Sequence, residues 1–287
     1  MRNPGASVCY REFWILGRKV VINISAGPIN RSTEAALGKV PEVTFYFWII
    51  KIAATTLGET AGDAVTMSMN LGYLVGTLIF VTLFVVAVGA QIGAKRYHPL
   101  LFWAVIVATT TAGTTLADLL DRSLGIGYTG GASILLVSLM ATLGLWHWSL
   151  GSVSLASITS HKAELFYWAT IMFSQTLGTA LGDWMADGKT GMGLGYEGSA
   201  VVFAAGLAAV AAAYFWTKLS HAALFWAAFI LTRPLGATVG DWLDKPVASG
   251  GLALSRYTAS AMLAIFIIAC IIFVPSKAEK IGSSINS

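Results

Sequence analysis

The feature that most constrains this chain is a residue spacing that recurs four times. In each copy a glycine lies ten residues after a tryptophan, and an aspartate lies fifteen residues after it, directly preceded by Gly or Ala. The copies are Trp48–Gly58–Gly62–Asp63, Trp103–Gly113–Ala117–Asp118, Trp168–Gly178–Gly182–Asp183 and Trp226–Gly236–Gly240–Asp241. Because the spacing never shifts by a residue, we predict a fourfold internal repeat.

Each copy lies in an apolar run long enough to cross a bilayer. The 287 residues are 56% hydrophobic and 11% charged, whereas a soluble domain carries about 25% charged residues. Eight apolar segments are predicted, at roughly 43–64, 71–91, 99–120, 129–150, 163–184, 198–216, 221–242 and 256–274. The predicted fold is therefore an all-α membrane protein with eight transmembrane helices from four two-helix repeats.

The repeats also predict the organisation of the chain. We expect a transmembrane domain over residues 41–276, with repeats at approximately 43–95, 98–153, 163–218 and 221–275. Because each repeat crosses the membrane twice, every copy enters in the same sense, and the repeats are parallel. Parallel repeats can form a pseudo-fourfold ring or two pseudo-twofold halves, and the sequence favours neither. Both arrangements can gather the four aspartates near one axis.

Lys and Arg are unevenly distributed between the two sides of the predicted membrane domain. Outside the apolar runs, twelve lie in the leader, the even connections and the tail, and four lie in the odd connections. This bias predicts a multi-pass protein with both termini in the cytoplasm. Residues 1–40 are expected to form a cytoplasmic leader that is disordered or lies on the membrane surface. The leader lacks the long apolar core of a secretory signal peptide, and residues 277–287 are expected to be a cytoplasmic tail.

Each odd helix begins with aromatic residues that include the repeat tryptophan. We expect these tryptophans in the aromatic belt at the cytoplasmic membrane interface: Trp48, Trp103, Trp168 and Trp226. Fifteen helical residues rise about 22 Å, so the repeat aspartates are expected near the outer ends of their helices. The Gly-xxx-small step before each aspartate predicts close approach between helices.

Three local motifs carry a resemblance to a known family. They are Tyr46-Phe47-Trp48-Ile49-Ile50-Lys51, Gly58-Glu59-Thr60-Ala61-Gly62-Asp63 and Leu231-Thr232-Arg233-Pro234-Leu235-Gly236. With them the chain resembles bacterial membrane proteins built from four tandem two-helix repeats of unknown function, each repeat with a characteristic tryptophan. Such proteins are usually labelled uncharacterised membrane-anchored proteins. The resemblance runs from Lys39 through Phe273 and implies the architecture, but it supplies no mechanism.

The acids of the repeats are the candidate ion-binding residues. They are Glu59, Asp63, Asp118, Asp183 and Asp241. Glu59 lies one turn deeper than Asp63, and an acid inside a membrane is costly unless it is paired or used. Threonines nearby make the surroundings rich in oxygen. Such a site favours protons or a hard cation such as Mg²⁺, Ca²⁺ or Mn²⁺, with Glu59 and Asp63 as candidate metal ligands.

A purely structural interpretation of the same residues is also open. An aspartate near the end of a spanning helix can mark the point where the helix leaves the membrane. A Gly-xxx-Gly step can simply pack two helices. On this interpretation the chain is a non-transporting membrane scaffold or sensor.

Two cations break the fourfold pattern. Arg233 lies seven residues after its tryptophan. The other repeats have a neutral side chain there: Thr55, Thr110 and Gln175. We expect Arg233 to pair with Glu59 or Asp63 and to stand in for a cation when the site is empty. Lys51, three residues after Trp48, can snorkel to the interface. The supporting residues are thus Arg233, Lys51, Thr55 and Gln175.

The leading functional prediction is an inner-membrane transporter of a small cation, namely a hard divalent metal ion, with proton coupling as one option. An alternative is transport of a small organic solute, in which Arg233 binds an anionic group; another is the scaffold or sensor. The sequence carries no enzyme motif and no nucleic-acid-binding pattern. We therefore expect no catalytic residue, no cofactor and no nucleic acid. The expected partners are the lipid of the bacterial inner membrane and the small cation.

The predicted topology can be tested by labelling introduced cysteines with a membrane-impermeant thiol reagent. Because Lys189 and Lys95 fall in connections on opposite sides, cysteines at these positions should react from opposite sides of the membrane. Permeabilised membranes, in which both should react, provide the control. If both react from the outside, the eight-helix topology is wrong.

Overall fold

The computed structural model describes residues 9–15, 18–24, 37–94, 96–153, 158, 160–274 and 278–280. The chain divides into two units, Met1–Ala36 and Leu37–Ser287. In the first unit, strand β1 (Cys9–Ile15) pairs antiparallel with strand β2 (Arg18–Ile24). The leader over residues 1–40 stays a prediction, as does its contact with a membrane surface, although two stretches of it form this hairpin. In the second unit, β3 (Leu37–Pro41) pairs with β4 (Ala278–Lys280).

The second unit is helical, which confirms the predicted all-α fold of eight helices from four tandem repeats. The helices of the described residues are α1 (Phe45–Asp63), α2 (Gly72–Gly93), α3 (Pro99–Asp118), α4 (Gly127–Leu150), α5 (His161–Ala186), α6 (Gly195–Trp216), α7 (His221–Asp244) and α8 (Arg256–Phe273). Wide π-helical turns, Ala64–Ser68 and Leu119–Ser123, continue α1 and α3 beyond their aspartates.

Local sequence signals explain where the helices begin. The hydroxyl of Thr44 accepts a hydrogen bond from the Phe47 N–H at 3.3 Å, and Ser160 caps α5 in the same way. Pro99 is the first residue of α3, where its missing N–H costs nothing. Three even helices open with a glycine at positive φ, which lets the chain turn sharply back into the bundle: Gly72, Gly127 and Gly195. The fourth, α8, opens with Arg256 instead.

Six of the helices are long and apolar enough to cross a membrane: α2, α3, α4, α6, α7 and α8. Buried residues make up 67% and 61% of the apolar windows of α3 and α7, but at most 22% in the even helices. The even helices therefore form the outer, lipid-compatible layer. Helices α1 and α5 are less apolar, and α1 carries three charged residues, Lys51, Glu59 and Asp63, all of which are buried. Polar groups are tolerated at this depth because the other helices surround them.

The odd helices α1, α3, α5 and α7 form a closed ring, in which each contacts the odd helices of both neighbouring repeats. All four junctions are alike: the first glycine of one repeat packs on the residue seven positions after the tryptophan of the next. The pairs are Gly58 with Thr110, Gly113 with Gln175, Gly178 with Arg233 and Gly236 with Thr55. A Cβ at these glycines would crowd the neighbouring helix, so the missing side chain permits the approach. The ring is therefore the pseudo-fourfold arrangement.

Hydrogen bonds and aromatic contacts also recur between neighbouring odd helices. The Thr110 hydroxyl donates to the Ala54 carbonyl at 3.2 Å, and the Thr55 hydroxyl donates to the Thr232 carbonyl at 3.2 Å. The end where the odd helices begin is called the aromatic end. There the aromatic residue before each tryptophan contacts the tryptophan of the next repeat. The ring centroids are separated by 5.5 Å for Phe47 and Trp103, 6.0 Å for Phe102 and Trp168, 6.2 Å for Tyr167 and Trp226, and 5.8 Å for Phe225 and Trp48.

These contacts correct the expected position of three repeat tryptophans. Trp103, Trp168 and Trp226 are only 2%, 2% and 6% exposed, so they pack between repeats and do not face the lipid interface. The physical reason is that an indole packed between two odd helices has a larger apolar contact than one at the membrane–water interface. Trp226 also donates its N–H to the Val153 carbonyl at 3.1 Å.

The even helices pack around the outside of the ring of odd helices. Each packs mainly on the odd helix of the following repeat: α2 on α3, α4 on α5, α6 on α7, and α8 on α1. The last of these contacts joins the end of the helical chain to its beginning. Each repeat therefore completes its own packing with its neighbour, as repeat architectures require.

The glycine junctions give a stability prediction. Gly236→Ala would place a Cβ against the side chain and backbone of Thr55, and we expect a loss of about 1–3 kcal/mol from overpacking. Gly144→Ala on α4 is the control, because it is exposed and nothing lies within 4 Å of its added Cβ. Thermal unfolding of the two variants in the same detergent compares them. Equal stability would mean that the helices can separate at this junction without cost.

Candidate functional site

Equivalent residues of the four repeats lie at matching levels of the ring, because the spacing and the junctions are the same in each. Eleven residues after the tryptophan, the side chains are Glu59, Thr114, Thr179 and Ala237. Seven residues after it they are Thr55, Thr110, Gln175 and Arg233. Each level therefore holds one charged residue, and the two charged residues have opposite signs.

Arg233 is fully buried and contacts all three other repeats. Its Nη2 donates to Glu59 Oε2 at 3.0 Å and to the hydroxyls of Thr114 and Thr179 at 2.5 Å. Its Nη1 donates to the Thr55 carbonyl at 3.4 Å. The predicted pair of Arg233 with Glu59 is thus present, and the threonine acceptors lie at the same level as the carboxylate.

Lys51 lies one helical turn further toward the aromatic end. It is 0% exposed, and its Nζ lies 4.2 Å from the centroid of the Phe229 ring. Within the described residues this Nζ has no hydrogen-bond partner. The expectation that Lys51 snorkels to the interface is therefore wrong, because the ring surrounds the whole side chain. The amine instead rests on an aromatic face.

The four repeat aspartates lie at the opposite end of the odd helices, called the acidic end. They are at most 5% exposed and are joined in pairs by two cations. Arg122 bridges the repeat-two and repeat-three aspartates, with Nε 3.0 Å from Asp118 Oδ1 and Nη2 3.0 Å from Asp183 Oδ2. Lys245 bridges the other pair, with Nζ 2.9 Å from Asp241 Oδ1 and in contact with Asp63 Oδ2. The four helices thus follow a pseudo-fourfold arrangement, whereas the ion pairs of the aspartates follow a pseudo-twofold one.

A second cation joins the Lys245 pair. Arg256, the first residue of α8, places its Nε 3.0 Å from Asp244 Oδ2 and 3.7 Å from Asp63 Oδ2. This is possible because repeat four has Arg256 where the other repeats have the opening glycine of their even helix. The extra positive charge lies beside the pair that is also nearest to Glu59.

Three carboxylates come close enough together to hold a metal ion. Glu59, Asp63 and Asp241 are all buried, and one oxygen from each lies within 4.8 Å of the others. Asp118 and Asp183 are outside this group and share Arg122. The structure thus brings the two predicted metal ligands together and adds Asp241 as a third.

Other candidates from the sequence have different surroundings. Gln175 is 0% exposed, and neither of its amide atoms has a hydrogen-bond partner among the residues described. Asp187 lies just past α5, where it accepts hydrogen bonds from the backbone N–H groups of Thr190 and Lys189. The bond from Thr190 is the largest cause that lowers the pKa of Asp187. These local hydrogen bonds therefore stabilise the charged form of Asp187. Asp187 is not one of the three grouped carboxylates.

The sequence interpretation missed the three cations at the acidic end. Arg122, Lys245 and Arg256 were counted there only as evidence of topology. A usable signal exists for two of them, because Arg122 and Lys245 each lie four residues after a repeat aspartate, the spacing that places two side chains on one helix face. Their second aspartate belongs to another repeat, and no sequence spacing reveals it.

The Arg233 contacts give a prediction about buried charge. Arg233→Leu leaves Glu59 buried without its cation, and we expect a loss of about 3–5 kcal/mol. Adding Glu59→Gln removes the isolated charge and should recover part of this stability. Arg96→Leu, at an exposed position, is the control. Thermal unfolding of the single and double variants decides: a double variant no more stable than Arg233→Leu would show that the Glu59 charge does not need Arg233.

Comparison with known proteins identifies the family but no activity. The family model described as Repeat of Unknown Function (DUF347) matches four tandem stretches, residues 46–97, 101–152, 166–220 and 224–274. A search of curated proteins and a search of solved structures each found no match. The four stretches coincide with the four helix pairs α1–α2, α3–α4, α5–α6 and α7–α8. The chain therefore belongs to the DUF347 repeat family, with four copies of its repeat.

Proposed function

We propose that the protein transports a small, hard divalent cation through the site formed by Glu59, Asp63 and Asp241. The observation that carries this proposal is the grouping of three buried carboxylates, with an oxygen of each within 4.8 Å of the others. Buried carboxylates are costly unless they are paired or used. Oxygen ligands from two neighbouring helices, Glu59 and Asp63 on α1 and Asp241 on α7, suit a divalent metal ion.

The chemistry of the surroundings favours a hard ion. The threonines near the axis offer neutral oxygen, including the hydroxyls of Thr114 and Thr179 that now accept from Arg233. His98, His161 and His221 lie where the odd helices begin, at the opposite end from the aspartates. Ligands of this kind support Mg²⁺, Ca²⁺ or Mn²⁺ over copper.

Positive charge on the axis supports a gated transporter rather than an open channel. Beyond Glu59 toward the aromatic end, a cation meets the guanidinium of Arg233 and then the amine of Lys51. Buried like charges repel strongly because little solvent screens them. A cation held at Glu59 therefore cannot continue along the axis until these side chains move. Such a rearrangement is what alternating access supplies.

The two alternatives fit the contacts less well. An organic anion would need a free guanidinium, but Arg233 already donates to Glu59, Thr114 and Thr179. A scaffold would explain the paired charges at the acidic end. It gives no reason for the buried pair of Glu59 and Arg233, since the residues that match Glu59 in the other repeats, Thr114, Thr179 and Ala237, pack the ring without a charge.

The proposal includes an orientation. We place the protein in the bacterial inner membrane with both termini in the cytoplasm, as the distribution of Lys and Arg favours. The carboxylate group then lies toward the outer side, and the aromatic end lies toward the cytoplasm. Proton coupling fits this arrangement, because carboxylates that bind a metal can also bind protons.

The experiment is a flux assay with purified protein in liposomes, using Mn²⁺ as the probe. Glu59→Gln combined with Asp63→Asn should abolish Mn²⁺ uptake, because two of the three carboxylates lose their charge. Asp187→Asn is the matched control, an acid near the end of an odd helix and outside the group, and it should transport like wild type. Full transport by the double variant, or no flux of any divalent cation in wild type, would overturn the proposal.

A further inference from the structure

Lys245 occupies the position that a bound cation would need. Its Nζ lies 2.9 Å from Asp241 Oδ1 and contacts Asp63 Oδ2. Asp63 and Asp241 are two of the three carboxylates of the candidate site. An ammonium group and a metal ion cannot both hold the same oxygens at contact distance. The expected role of standing in for a cation therefore fits Lys245 better, whereas Arg233 reaches Glu59 from the level nearer the start of the odd helices.

Comparison with Arg122 shows that the two halves of the acidic end are built differently. Arg122 and Lys245 both follow a repeat aspartate by four residues and both bridge to the next aspartate around the ring. Arg122 uses two different nitrogens, so its fork fits both carboxylates at once. Lys245 makes both contacts with one nitrogen, and an ammonium is a compact point charge like a small cation. A third carboxylate, Glu59, lies only on the Lys245 side.

The Lys245 half also has an unused ligand atom and a second place for the ammonium. Asp63 Oδ1 is buried and has no hydrogen-bond partner in the part of the chain that the structure describes. Asp244 Oδ1 lies 3.9 Å from Lys245 Nζ. The ammonium can therefore move toward Asp244 and stay paired while Asp63 and Asp241 become free. Lys245 itself is the residue after α7 and is followed by Pro246 and a short 3₁₀ turn, so it is not held within a helix.

We propose that Lys245 is a tethered counter-ion: its ammonium group and the transported cation occupy the Asp63–Asp241 pair in turn. This inference rests on the proposed transport function and assigns the competing group at the same site. Exchange keeps positive charge beside the buried carboxylates in both states, so the empty site need not leave Asp63 and Asp241 uncompensated. It also lowers the apparent affinity for the cation, because the ion binds only the fraction of protein whose ammonium has moved away.

Equilibrium Mn²⁺ binding to the full-length protein in lipid nanodiscs tests the exchange. Lys245→Gln removes the competitor, and we expect Mn²⁺ to bind about tenfold tighter or more. Lys245→Arg should bind Mn²⁺ more weakly than wild type, because a fork can hold both carboxylates at once. Lys189→Gln, at an exposed position, is the control and should bind like wild type. Mn²⁺ affinity of Lys245→Gln equal to or below that of wild type would overturn the proposal.

Thermal unfolding with and without Mn²⁺ gives a second measurement. It distinguishes exchange from a purely structural salt bridge, whose loss Mn²⁺ would not offset. Without metal, Lys245→Gln should unfold at a lower temperature than wild type, and Mn²⁺ should raise its unfolding temperature more than that of wild type. A loss of stability that Mn²⁺ does not restore contradicts exchange. Mn²⁺ flux in wild type with unchanged affinity in Lys245→Gln removes this inference alone, whereas absence of both binding and flux in every variant removes the proposed function as well.

Discussion

The structure depends on the close approach of the odd helices at four equivalent glycines. At each junction a backbone without a side chain meets the residue that lies seven positions after the next tryptophan. In lipid, helix association gains little from the hydrophobic effect and relies on packing and on hydrogen bonds between helices. The glycines allow that packing, and the threonine hydroxyls at the same level add the bonds. The ring then draws one residue of every repeat toward a common axis.

This convergence on an axis makes the deviations from symmetry important. At the level of Glu59, the same acid in every repeat would concentrate like charges in a space shielded from water. The chain instead has one glutamate at one level and one arginine at the level below, and Arg233 reaches residues of the other three repeats. The buried charges compensate each other, while the neutral threonines complete the coordination of the guanidinium.

The acidic end follows a different symmetry from the ring that carries it. Two cations divide four aspartates into two pairs, and only one pair has the additional acid Glu59 and the additional cation Arg256 nearby. Repetition of a two-helix unit thus supplies the scaffold, and a few substitutions in repeats one and four make the half around Asp63 and Asp241 chemically distinct. The candidate site lies in that half, where Lys245 is within reach of three carboxylates, those of Asp63, Asp241 and Asp244.

Much of the architecture follows from the sequence alone. The repeat spacing, the apolar runs and the Gly-xxx-small steps predict four two-helix repeats, because these depend on distances along the chain and on the period of a helix. Glu59 and Arg233 stand out as departures from the repeat, and a buried charge needs a partner. Their pairing could therefore be anticipated without coordinates.

Only the tertiary structure decided how the repeats close and which charges meet. Whether four parallel repeats form a ring or two halves depends on contacts between α7 and α1 and between α8 and α1, whose residues are far apart in the chain. For the same reason, the sequence could suggest that Lys245 neighbours Asp241, four residues away, but not that it reaches Asp63. Spacing along a helix specifies depth, whereas the angular position around the axis, which selects the partner, arises only when all four repeats pack together.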